Sequence, residues 1–221
     1  MYETLMNLPL FRGANQDQMS SFIEKTHLEF KIFNTGDTIA KTGERCRTLK
    51  SLISGRAALR HSLFKGRLIL TDEREAPDFI APERLFGLEN AYRFEAWAVT
   101  RCGTVEISKS QYLDLLRKNP VFLLNYLNHL CREAQTGLDV LKYPYVGTTK
   151  AFLILILQLL TSKQSQNIVI ESPASPIKDF FRSTGCADCD IERMEDEKFV
   201  FLEAPHKLHI LNRSQIVDLP D

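Results

Sequence analysis

No apolar run in this chain approaches the roughly 18 residues that a membrane-crossing helix needs. The opening stretch, Met1-Tyr2-Glu3-Thr4-Leu5, has no basic segment followed by an apolar core, so no secretory leader is expected and a cytoplasmic location is. Cysteine is sparse and odd in number: Cys46, Cys102, Cys131, Cys186 and Cys189 fit free thiols of a reducing compartment, not a disulfide framework. An excess of one charge is missing too. The 28 basic and 28 acidic side chains cancel, which by itself points to no polyanionic partner. Catalytic groupings are also lacking. His27, His61, His129, His206 and His209 are scattered, with no Ser/His/Asp or paired-carboxylate spacing, so an enzyme is not expected. A cupin-like metal enzyme needs clustered His and Glu on facing strands, and His27 with His61 do not supply that.

What is present is an ordinary globular composition, 44% hydrophobic and 25% charged, over 221 residues. That length suits two small domains. The charge is unevenly placed: residues 163–221 carry 7 basic and 11 acidic groups, leaving them at −4 and the remainder at +4.

Residues 15–26 read as a short capped amphipathic helix. From 28 to 108, short β-prone runs alternate with turns at Thr35-Gly36-Asp37, Thr42-Gly43-Glu44, Ser54-Gly55, Lys65-Gly66 and Phe86-Gly87. Glycines about ten residues apart, each free to take positive φ, predict successive hairpins in a roll or sandwich, with Phe79, Phe86, Phe94 and Trp97 as its core aromatics. Residues 109–118 form a short helix, and Asn119-Pro120 opens a longer one. On it Leu124, Leu127, Cys131, Ala134, Leu138 and Leu141 are separated alternately by three and four positions, a heptad seam that predicts a homodimer.

Lys142–Gly147 is a hinge built around Pro144. Thr148 then caps an apolar helix, Ile168–Ile170 forms a strand, and Pro176 opens a short helix. A further helix over 188–198 precedes a hairpin, Phe199–Leu202 with Lys207–Leu211. Helix, strand, helix, helix and two strands is the order of a winged helix.

Several stretches occur in an order that resembles the Crp/Fnr family of bacterial transcriptional regulators. They are Phe33-Asn-Thr-Gly-Asp-Thr-Ile39 with Thr42-Gly-Glu44, Leu52-Ile-Ser-Gly-Arg-Ala-Ala-Leu59, Leu85-Phe-Gly87, Val105-Glu-Ile-Ser108 and Lys118-Asn-Pro120. The match is good over residues 5–160 and poor beyond. The resemblance implies an α+β chain in three parts: a jelly-roll, cyclic-nucleotide-binding-like sensor domain (1–118), a dimerisation helix (119–143) and a small winged-helix domain (144–221). It places a candidate effector pocket at Phe86, Gly87, Glu89, Arg93, Glu95, Trp97 and Thr136. Lys178, Arg182, Arg193, Lys198 and Lys207 are the candidate DNA contacts.

The chain departs from that family where its chemistry lies. A cyclic phosphate needs backbone N–H groups at a helix start, a Glu for the ribose and a buried Arg. Here Glu89 is displaced by one position, and Phe94-Glu95 occupies the place of the family's Arg-Ser/Thr pair, so cAMP is not the expected effector. An Fnr-like iron–sulfur cluster requires N-terminal cysteines, and the first here is Cys46. No metal or other cofactor is expected, because Cys186-Ala-Asp-Cys189 lacks a second ligand pair of matching spacing. The would-be recognition helix, 188–198, sets six acids against Arg193 and Lys198, the wrong sign for a phosphate backbone. Two outcomes stay open: an effector-sensing regulator that acts on DNA, or a descendant that senses or binds proteins without DNA.

Overall fold

The computed structural model describes residues 8, 11, 13–140, 148–162, 165–186 and 189–217. The chain forms two compact units, Met1–Ala58 with Glu75–Arg132 and Leu59–Arg74 with Glu133–Asp221.

In the first unit, α1 (Gln16–Lys25) begins at a capping box. Asn15 Oδ1 accepts from the Gln18 N–H at 2.8 Å, and Gln18 Oε1 accepts from the Asn15 N–H at 3.0 Å. The strands β1 (Glu29–Phe33), β2 (Thr38–Ala40), β3 (Thr48–Ser54) and β6 (Asp78–Ile80) follow, while β4 (Arg56–Leu63) and β5 (Leu68–Glu75), between β3 and β6 in the chain, lie mostly in the second unit. Then come β7 (Phe94–Ala98), β8 (Cys102–Ser108), α2 (Lys109–Lys118) and α3 (Pro120–Val140). Four strands make an antiparallel sheet in the order β1-β8-β3-β6, while β2 pairs with β7 across a register break between Thr38 and Ala40. The glycine at 55 is obligatory: with φ +77°, an added Cβ would lie 2.3 Å from the Arg101 carbonyl oxygen. Phe11, Phe22 and Phe122 pack ring to ring at 5.4–6.1 Å, so the chain near its start buttresses the base of α3. Phe79 and Phe94 are core residues as expected. Phe86 and Trp97 are only partly buried.

The second unit contains α4 (Thr149–Leu160), β9 (Ser165–Glu171), α5 (Ile177–Ser183), α6 (Cys189–Asp196), β10 (Val200–Ala204), β11 (Lys207–Ile210) and α7 (Arg213–Val217). Its strands run β10-β11-β9-β5. The β5–β9 ladder sets Leu70 opposite Ile170 and Asp72 opposite Ile168, on the far side of β9 from β11. Leu68 and Leu70 are fully buried with Leu157, Ile170, Phe181 and Leu208 in a single core. Sequence patterning groups residues 59–74 with the roll; in the structure they complete the core of the second unit. The short helix α7 is a further element that the patterning misses. The hinge at 142–147 and the seam residue Leu141 lie outside the described residues.

The turn between β4 and β5 takes positive φ at Phe64 (51°), Lys65 (59°) and Gly66 (85°), which costs the two non-glycine residues about 1–2 kcal/mol each. Packing offsets it. Phe64 stacks on Phe152 and Phe180 at 5.8 and 5.6 Å, and Arg67 lies 5.4 Å over Phe180 while donating to Ser183 Oγ at 2.9 Å. Two arginines hold the carbonyl end of α4: Arg213 reaches Thr161 Oγ1 at 2.6 Å and the Leu157 carbonyl at 3.3 Å, and Arg74 reaches the Leu160 carbonyl at 3.4 Å. Cations there complement the helix dipole. No helix among the described residues is long and apolar enough to cross a membrane.

Burying Leu68 and Leu70 contributes about 1.5–3 kcal/mol each, a large share of the stability of a small domain. Residues 133–221 expressed without the hairpin are therefore expected to show no cooperative unfolding by circular dichroism. A sharp thermal transition in that fragment would contradict this assignment of β5.

Candidate functional site

The polar centre of the first unit is Glu106 on β8, only 2% exposed. The register sets it directly opposite Lys50 on β3 and Glu29 on β1. Lys50 Nζ lies 2.8 Å from its Oε1, Lys31 Nζ lies 3.3 Å from its Oε2, and Thr48 Oγ1 donates to Oε2 at 2.8 Å. Burial pushes the Glu106 carboxyl up, but the hydrogen bond and charge of Lys50, then Thr48 and Lys31, outweigh it and hold the group below the usual carboxylate range. Nearby, burial pushes the Cys46 thiol up, leaving it a poor nucleophile.

The segment resembling a nucleotide cassette is not built for a phosphate. Residues 85–88 form bends after a single 3₁₀ turn, Pro82–Arg84, and no α-helix N-terminus is presented there. Arg93 pairs with Glu89, both on the surface, so the nearest guanidinium is already neutralised. Phe94, at the position that would carry a phosphate-binding arginine, is buried with its ring 5.5 Å from that of Tyr92. Phe86 is committed as well. Lys109 Nζ sits 5.1 Å from its ring centroid, and the Tyr126 ring abuts it at 5.6 Å, with the Tyr126 hydroxyl donating to the Pro82 carbonyl. Gly87 is exposed with φ +98°. Among the described residues, Glu95 and Trp97 line a common depression, of about 310 Å³, with Thr38, Lys41, Thr42 and Ala96. The side chain of Thr136 lies outside the described residues.

The proposed seam runs along an unpartnered face of α3. Leu124 is 58% and Leu127 46% exposed, and Cys131 and Ala134 are also exposed, while Phe122 and Tyr126 bury the opposite side of the helix. The side chain of Leu138 lies outside the described residues.

Carboxylates hold nearly all the candidate DNA-contacting cations. Lys178 pairs with Glu192 at 3.1 Å, Arg182 with Asp179 at 2.7 Å, Arg193 with Glu197 at 2.9 Å and Lys207 with Glu203 at 2.8 Å. Glu203 also meets His209 Nε2 at 2.6 Å, and hydrogen bonds from Lys207 and His209 hold its carboxyl below the usual range. Lys198 is exposed. Glu195 caps the Leu202 N–H of β10 at 2.8 Å, which covers part of that edge strand. Among the described residues no group of three or more His, Cys, Asp or Glu is placed to hold a metal ion. The side chain of Cys189 is not among those described.

No protein-family model matches the sequence, and no curated protein does. Solved structures do. The chain is similar in fold to a catabolite activator protein. The one from Thermus thermophilus is 18% identical with a TM-score of 0.53, and the match covers 95% of this chain and 98% of that one. The N-terminal domain of a transcriptional regulator from Streptomyces coelicolor A3(2) is 17% identical with a TM-score of 0.50, covering 66% of this chain and 99% of that domain. Identities this low speak to fold alone. The Lys50–Glu106 pair and the Lys41 side of the depression were missed at the sequence level; the one available signal was a glutamate inside the apolar run Val105-Glu-Ile107.

Breaking the buried pair is expected to be costly. Lys50→Met leaves Glu106 under-compensated and should lose about 3–5 kcal/mol by urea denaturation near neutral pH, most of it recovered in Lys50→Met/Glu106→Leu. A lowered folded-state pKa places the Glu106 contribution above the ordinary Glu value of about 4.3 and removes it as the pH falls through the folded value. The gap between wild type and Lys50→Met should therefore shrink on acidification. A pH-independent gap, or none, would contradict this reading.

Proposed function

We propose that the protein is a homodimeric transcriptional regulator of the Crp/Fnr type. Its roll (1–118) senses a small effector other than cAMP, its long helix (119–143) forms the dimer seam, and its C-terminal part (144–221) acts on DNA as a winged helix in the cytoplasm. The observation that carries the proposal is likeness of fold over nearly the whole length of a catabolite activator protein, including the C-terminal part. The exposed Leu124 and Leu127 support the dimer, since burying them requires a partner and heptad spacing supplies one in a second copy.

A second reading, a descendant that senses or binds proteins without DNA, is favoured by the ion pairs of the second unit. Phosphate contacts would require Lys178, Arg182, Arg193 and Lys207 to exchange carboxylates for phosphates. Only the net gain of that exchange would reach the affinity.

Fluorescence anisotropy of the full chain against pooled genomic fragments across a salt series separates the two. The regulator reading expects binding at moderate salt and a slope equivalent to about four or more phosphates per dimer. Absence of binding even at low salt would sink it in favour of the second. Sedimentation should give a dimer for the wild type and a monomer for Leu124→Asp/Leu127→Asp; a wild-type monomer would contradict the seam.

A further inference from the structure

The depression on the first unit contains groups that nothing else in the fold uses. It lies where β2 and β7 pair: Thr38 stands opposite Trp97, and the register break beyond Thr38 opens the ladder beside Ala96. Glu95 and Trp97, two apart on β7, share the exposed face, while Phe94, Ala96 and Ala98 are buried. Lys41 follows β2 in a turn whose backbone is tied down, with its N–H donating to Glu44 Oε2 at 3.2 Å and the Gly43 N–H donating to the Tyr92 carbonyl at 2.9 Å. Among the described residues, neither the Lys41 ammonium nor the Glu95 carboxylate has an ion-pair partner, and the two do not pair with each other.

A depression lined by Lys41 and Glu95, neither with an ion-pair partner among the described residues, together with Trp97, Thr38 and Thr42, discriminates by charge pattern. A simple anion attracted to Lys41 meets Glu95, and a simple cation attracted to Glu95 meets Lys41. A molecule carrying both charges satisfies both. Its ammonium lies between the Glu95 carboxylate and the Trp97 ring, which attract it by charge-assisted hydrogen bonding and by the ring quadrupole. Its carboxylate reaches Lys41, and the hydroxyls of Thr38 and Thr42 can donate or accept beside it. A volume of about 310 Å³ sits at the small end of ligand sites, which run to about 1,000 Å³.

We infer that this depression binds a free α-amino acid, through Glu95 and Trp97 at its ammonium and Lys41 at its carboxylate. The inference rests on the proposal that the roll is a sensor, and it names the effector class. It puts the ligand on the outer face of the β2–β7 pair, away from the buried Phe94.

Trp97 is the single tryptophan of the chain, so its emission reports on this depression alone. The test titrates the full-length protein with each of the proteinogenic L-amino acids, and with the N-acetyl and amide derivatives of any that respond. The expected result is a saturable change in Trp97 emission for at least one free amino acid. Both derivatives should bind at least about tenfold more weakly, the loss of one charge-assisted bond. Lys41→Gln and Glu95→Gln should each lower affinity by about the same factor while keeping the wild-type thermal transition. No saturable change with any free amino acid, or equal affinity for an N-acetylated one, overturns the inference. Its failure is distinguishable from failure of the regulator reading: the anisotropy series reads DNA binding without reference to Trp97.

Discussion

The β5–β9 ladder is the constraint on which the rest of the second unit depends. Without β5, Ile168 and Ile170 would pair on one side only, and Leu157 and Phe181 would lose the apolar cover of Leu68 and Leu70. The strained turn at Phe64–Gly66 follows from it, since the backbone holds three successive positive φ values against aromatic rings of α4 and α5. Arg74 is placed by the same strand, half-buried and paired with the buried Asp72 at 2.8 Å while reaching the end of α4. A hairpin contributed from the end of the chain's first third thus closes a core whose other elements all come from its last third.

In both units many of the charged groups are already satisfied by carboxylates or cations nearby. Glu106 is held by two lysines and a threonine inside the first unit, an arrangement that ties β1, β8 and β3 in register. Arg93, the nearest candidate for a phosphate, is taken by Glu89. In the second unit the acids of α6 and its neighbours occupy the cations that a nucleic acid would need, so any DNA contact competes with an existing pair. Lys41 and Glu95 line one depression, and among the described residues neither has an ion-pair partner.

Much of the fold was legible in the sequence because it is locally encoded. Asn15 and Gln18 announce a capping box, Ser108 and Pro120 mark two helix starts, and glycines at 36, 43, 55 and 66 sit where the chain reverses. The alternation of three and four on α3 is likewise a property of neighbours along the chain. The hairpin's membership of the second unit was not legible, because Leu68 and Leu70 read as ordinary strand residues and their partners lie about a hundred positions away. The surroundings of the predicted pocket residues were not legible for a similar reason. Phe86, Glu89 and Arg93 have the residue types a ligand site wants, and their engagement by Lys109, Tyr126 and each other depends on side-chain directions that spacing does not determine. Lys41 could not be tied to Glu95 and Trp97 before the β2–β7 pairing was known.

On this architecture β5 belongs energetically to the second unit. Native-state hydrogen exchange of the full chain tests it directly. The account predicts that ladder amides of β5, around Leu70 and Asp72, open in one step with those of Ile168 and Ile170, with the same free energy and denaturant dependence. Exchange of the β5 amides together with those of β3 and β8, independently of β9, would contradict it.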